Sequence, residues 1–181
     1  MSDLEPDENM PRIEEALRGG KGTRTAITLP LLEGRSATFR AGSAPPETSR
    51  RAMAAFLALG PEARAAAAPH VLAYCRDTVE AVGEDALDGV EPPAGPDDVW
   101  RLVEPVNLTV RERDGVAFVV MEANCAWEPE HGLMVVWRDG RQLEKVSEYD
   151  GHLTNAAAFD DPGLAETVYS AAEPSFTTYK G

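Results

Sequence analysis

Apolar and polar positions alternate most regularly in the stretch 106–149. Val106, Leu108 and Val110 alternate with polar neighbours, and Asp114-Gly115 follows as a tight turn. Residues 116–123 are apolar on both faces, the pattern of a central strand. The segment 127–131 turns the chain. Leu133, Val135 and Trp137 then alternate with Met134, Val136 and Arg138 up to a second turn at Asp139-Gly140. Residues 143–149 supply the fourth strand. Side chains of a strand repeat every two residues, and the Asp-Gly turns leave no room for crossover helices, so an antiparallel meander over 104–150 is predicted. Upstream, 24–31 and 36–40 flank Glu33-Gly34 and predict a hairpin over 24–40.

Between these strand regions the period changes to that of a helix. Met53, Ala54, Phe56 and Leu57 fall on one stripe behind a cap at Thr48 or Ser49, and Gly60-Pro61 separates this helix from the next. Val71, Leu72, Cys75, Val79 and Val82 then recur at helical spacing, with Pro69 expected to kink or divide the second helix. Helical structure is thus predicted over 48–82. One turn of helix is expected around Ile13, Ala16 and Leu17, and a short helix capped by Asp97 or Asp98 runs through Trp100 and Leu102. Small helices near 153–159 and 162–169 close the chain, the first capped by His152. Residues 1–10 read as a disordered acidic tail. The whole predicts one α+β domain over 11–181, an antiparallel sheet of about six strands with helices packed on one face.

Charge sharpens the picture. The chain of 181 residues carries 17 Lys+Arg against 31 Asp+Glu, a formal net charge of -14. Residues 1–76 hold ten basic and nine acidic side chains, whereas 77–181 hold seven and 22. Asp77, Glu80, Glu84, Asp85, Asp88, Glu91, Asp97 and Asp98 fall in 77–100, which has no Lys or Arg. A solvent-facing patch of this sign repels nucleic acid and anionic lipid and favours a basic protein partner. No apolar run approaches the roughly 18 residues of a membrane span. The polar N-terminus has no signal-peptide pattern, and two cysteines make no disulfide framework. A cytoplasmic protein is expected. No cofactor motif is present: Gly19-Gly-Lys-Gly-Thr23 lacks the first glycine of a phosphate loop and the strand before it.

Candidate chemistry gathers in two turns of the meander. Cys125-Ala-Trp-Glu-Pro-Glu-His-Gly-Leu133 and Tyr149-Asp-Gly-His-Leu-Thr154 hold two of the three histidines and one of the two cysteines. Two strands joined by a hairpin return these turns to one end of the sheet. Trp127, Glu128, Glu130, His131, Asp150 and His152 are the candidate binding residues: the carboxylates pair with cations, the histidines orient the turns, and Trp127 anchors a partner if exposed. Trp100 and Trp137 sit among apolar residues and are assigned to the core. The alternative is an enzyme. Cys125, His131 and His152 offer ligands to a soft or borderline metal, Cys125 with either histidine forms a nucleophile–base pair, and Glu128 with Glu130 can act as acid and base. The spacing matches no standard zinc pattern, and no nucleophile elbow is present.

The run Trp-Glu-x-Glu-His-Gly-Leu between two strands, with Tyr-Asp-Gly-His-Leu-Thr after the next hairpin, resembles a bacterial family of uncharacterised domains over residues 104–160. Its relatives resemble immunity-type or toxin-system accessory proteins. The resemblance implies a binding role, such as masking a basic partner, more than catalysis.

Overall fold

The structure is a computed structural model that describes residues 8–181. Residues 1–7 of the expected tail lie outside the described residues. Asn9 and Met10 belong to a helix, α1 (Asn9–Gly19), of three turns where one was expected. The strands are β1 (Arg24–Leu29), β2 (Arg35–Arg40), β3 (Val103–Arg113), β4 (Val116–Cys125), β5 (Leu133–Arg138) and β6 (Gln142–Ser147), hydrogen-bonded in that order into one six-stranded sheet. Helices α2 (Pro46–Leu57) and α3 (Pro61–Val82) occupy the connection between β2 and β3. The class is α+β with a mostly antiparallel sheet. β2 and β3 depart from this and run parallel, Thr38 opposite Asn107 and Phe39 opposite Leu108. Parallel neighbours need a long crossover, and the two helices provide it.

Two compact units are distinguished by their internal contacts. The first comprises the described part of Met1–Arg64 with Pro105–Met121 and Trp137–Gln142. Here β1 and β2 pair antiparallel over six positions, from Arg24 opposite Arg40 to Leu29 opposite Arg35. Glu33 takes the left-handed conformation that closes their turn, with φ 58°. As an end strand, β1 would expose unpaired amides, and Asn9 of α1 blunts that edge. Its buried amide donates to the Thr28 carbonyl at 2.8 Å and accepts from the Thr28 amide at 2.9 Å, imitating a neighbouring strand. Ile13, Ile27, Phe39, Met53, Phe56 and Leu108 are fully buried. Phe56 meets Trp137 edge to face with centroids 4.9 Å apart, which places Trp137 in the core.

The second unit comprises Ala65–Glu104, Glu122–Val136 and Leu143–Gly181. Most of α3 lies here, continuous through Pro69 rather than divided. Pro69 leaves one carbonyl of the preceding turn without its helical donor, and the flanking turns carry the helix on. Val71, Leu72, Tyr74 and Cys75 are buried, but Val82, expected on the same stripe, is 63% exposed. After β6, α4 (Asn155–Ala158) is capped by Thr154, whose hydroxyl accepts from the Ala157 amide at 3.1 Å; the exposed His152 side chain has no part in it. The helix expected over 162–169 is instead a 3-10 turn at Pro162–Leu164 and a strand, β7 (Thr167–Tyr169). Its partner is β8 (Thr178–Tyr179), in an antiparallel ribbon. The buried Asn155 amide donates to the carbonyls of Thr167 and Val168 at 2.9 and 2.8 Å, satisfying backbone that a helix would have paired internally.

Gly140 offers a direct test of packing in the first unit. Its φ is +68°, and a Cβ added there would lie 2.1 Å from the Ala52 carbonyl oxygen. Gly140→Ala therefore combines left-handed strain with a backbone clash, and we expect urea unfolding to report a loss of about 2–4 kcal/mol. Gly115→Ala shares the positive φ but meets nothing within 4 Å, and should cost only about 1 kcal/mol.

Candidate functional site

The turn between β4 and β5 is organised by a carboxylate. Glu128 Oε1 accepts from the amides of Glu130 at 3.1 Å and His131 at 3.2 Å, and the Glu128 carbonyl accepts from the Gly132 amide at 2.9 Å. This is the logic of a helix N-cap applied to a single turn. Gly132 has φ +66°, and a Cβ there would stand 2.5 Å from the Ala123 carbonyl oxygen, so the turn packs against the β4 backbone in a way only glycine allows. The Tyr74 hydroxyl donates to the Gly132 carbonyl at 3.1 Å. Beneath the turn Trp127, only 1% exposed, meets Tyr74 edge to face at 5.7 Å. Trp127 is therefore core and cannot anchor a partner. Its place in the turn concealed this, because α3 supplies the covering surface.

The end of β6 and the following turn are organised by a buried ammonium. Lys145 has no exposed side-chain surface. Its Nζ donates to both oxygens of Asp150, 2.6 Å to Oδ1, and to the His152 carbonyl at 3.2 Å. Burial pulls the Lys145 pKa down, and the Asp150 carboxylate opposes that shift. Asp150 Oδ1 also accepts from the His152 amide at 2.9 Å. Asp150 thus closes its own turn around a cation, while the His152 ring stands exposed, its Nδ1 3.8 Å from Asp150. A hydrogen bond from the Tyr149 amide to the His131 carbonyl, 3.3 Å, joins this turn to the first.

A cleft of about 440 Å³ opens beside these turns, lined in part by Tyr74, Asp77, Glu128, Glu148, Asp150 and Phe159. Its lining residues include no Lys or Arg. Two of its acids are satisfied internally: Asp150 by Lys145, and Asp77 by the Tyr169 hydroxyl at 2.6 Å with the amides of Ala172 and Glu173 at 2.8 and 2.9 Å. Asp77 is consequently buried and does not belong to the solvent-facing patch in which the sequence placed it. Glu128 and Glu148 form no ion pair with a Lys or Arg among the described residues. Val82 and Phe159, 63% and 57% exposed, contribute apolar surface to the same lining.

The candidate residues divide accordingly. Glu128, His131 and Glu148 come together, with one ligand atom from each within 4.8 Å of the others. Among the described residues this is the group of three that has metal-ligand spacing, and it differs from the Cys125, His131 and His152 set read from the sequence. Cys125 is buried at the end of β4, its thiol donating to the Glu128 carbonyl at 3.7 Å. Burial pushes its pKa up to about 12, so a thiolate nucleophile paired with His131 or His152 is disfavoured. Glu130 is exposed and enters the turn through its amide. Sequence reading missed Lys145, Glu148 and Tyr74. Lys145 carried no local signal: alternation beside Val146 turns a neighbouring side chain outward, and its burial depends on Asp150 beyond the strand.

Residues 12–153 match the family described as domain of unknown function (DUF6985), so the chain belongs to that family of uncharacterised domains. The match reaches well before residue 104 and therefore takes in α2 and α3 as well as the later strands. No curated protein and no solved structure matches the chain. Among the described residues no helix is long and apolar enough to cross a membrane.

Four buried groups make the fold sensitive to alkali. Burial raises Cys75 to about 11 and Cys125 to about 12 from the ordinary 9.0, and it raises Tyr74 and Tyr169 above their ordinary 10.0. A group with a raised folded pKa stabilises fully below its unfolded value and loses that contribution as pH climbs towards the folded value. Lys145, lowered on folding, works in the opposite direction, one group against four. Stability should therefore decline from about pH 9 to pH 11, each shifted group contributing about 1.4 kcal/mol per pH unit inside its window. Urea titrations across that range should show a decline shallower by about this slope in Cys125→Ala.

Proposed function

We propose that this protein is a binding module that receives a cationic segment of a partner protein in the cleft beside α3. The observation that carries the reading is the pair Glu128 and Glu148, two carboxylates on an acid-lined cleft that make no ion pair with Lys or Arg among the described residues, the Lys145 ammonium being held by Asp150. A guanidinium or ammonium entering there would gain charge-assisted hydrogen bonds. The exposed Phe159 ring and Val82 offer the aliphatic stem of that side chain an apolar surface. The negative balance of residues 77–181 would speed the encounter. An immunity-like role, in which the module masks a basic partner, is the biological form of this reading, and a cytoplasmic setting suits it. Trp127 has no part in it. Glu130, His131 and His152 would act at the edge of the contact.

Titrating the protein with a fluorescent Lys/Arg-rich peptide, in chelator, tests the reading. Binding should weaken with added salt. The double variant Glu128→Gln/Glu148→Gln should weaken it about tenfold or more, since hydrogen bonds to charged groups contribute about 1.5–3 kcal/mol each. Asp85→Asn/Glu91→Gln makes the same change of net charge away from the cleft and should leave affinity near that of the wild type. Equal losses in both double variants would reduce the interaction to bulk charge and overturn the assignment to the cleft.

A further inference from the structure

We propose that Glu128, His131 and Glu148 form a binding site for a divalent transition-metal ion of the zinc type. This goes beyond the binding-module reading and does not depend on it. Three potential ligand atoms, one imidazole nitrogen and two carboxylate oxygens, lie within 4.8 Å of one another. The imidazole separates this group from an ordinary acidic surface, since nitrogen with carboxylate oxygen is a donor set for borderline metals.

The imidazole also faces the carboxylate, with His131 Nδ1 3.5 Å from Glu128 Oε1. A further argument is orientation. The amides of Glu130 and His131 donate to Glu128 and fix its carboxylate before any ion arrives, as outer partners do in metal sites. The Tyr149–His131 backbone hydrogen bond keeps the turn bearing Glu128 and His131 beside the segment bearing Glu148. Three protein ligands also leave a coordination position open, and both carboxylates line the cleft. An ion here would use the same two carboxylates as a partner's cationic side chain, so the two occupants would compete.

Cobalt(II) and zinc titrations of the purified chain alone, after removal of metal, decide the matter. Saturable binding at one ion per chain is expected, with the visible absorption of low-coordinate cobalt bleached by added zinc. His131→Ala and Glu148→Gln should each lower affinity at least tenfold, while Glu130→Gln and His152→Ala leave it unchanged. Thermal unfolding without metal should be alike for all four variants, because these side chains are exposed or half exposed. Absence of saturable binding would overturn the proposal, as would binding that survives His131→Ala or falls equally in His152→Ala. The peptide titration is run in chelator, so failure here leaves the partner-binding reading standing, and the reverse also holds.

Discussion

The hydroxyl of Tyr74 donates to the carbonyl of Gly132, and much of the second unit is arranged around that hydrogen bond. The same ring meets Trp127 at 5.7 Å and Tyr169 at 5.4 Å, so one α3 side chain joins the β4–β5 turn to β7. Aromatic contacts of this kind add modestly to the burial they accompany. What makes Tyr74 decisive is geometry. Its hydroxyl must find an acceptor once buried, and the acceptor it finds belongs to the residue that only glycine can occupy. The turn, the helix and the ribbon are therefore constrained together, and the cleft is the space left between them.

Buried charge completes that arrangement. Lys145 is wholly enclosed, Asp77 is nearly so, and Glu144 meets Lys180 at 2.8 Å with both side chains largely covered. Such pairs are weak evidence of net stability, since desolvation offsets their attraction, but removing one partner strands the other. Their effect is directional. Lys145 occupies Asp150 from inside, and three donors occupy Asp77. Of the acids lining the cleft, Glu128 and Glu148 retain free capacity for an outside cation. A surface that looks uniformly acidic in composition thus narrows to two side chains and the neighbouring imidazole of His131.

The Trp-Glu-x-Glu-His-Gly-Leu run serves structure and surface at once. Trp127 and Leu133 are core, Glu128 caps the turn, and Gly132 permits close approach to β4. Glu130 and His131 project outward. Constraint on four of these positions would therefore follow from folding alone, while the fold makes no demand on the side chains of Glu130 and His131. The groups of the run that the fold leaves open to an outside ligand are the His131 imidazole and the half-buried Glu128 carboxylate that the turn has already oriented.

Much of the local structure was legible in the sequence, because strand alternation and helical stripes are properties of neighbouring residues. Val106, Leu108 and Val110 disclosed β3, the Asp-Gly pairs disclosed two turns, and the α+β class followed. Non-local facts were not legible. Pairing β2 with β3 joins segments separated by two helices. The burial of Trp127 depends on α3, that of Lys145 on a carboxylate beyond its strand, and the ribbon of β7 and β8 on Asn155. Glu148 gained significance only when the backbone bond between Tyr149 and His131 brought it beside Glu128. Neighbouring residues were enough to set most elements, their turns and the sign of the surface. Tertiary structure decided which charges are neutralised inside and which face outward, because a charge's partner is chosen by proximity in space and not by position along the chain.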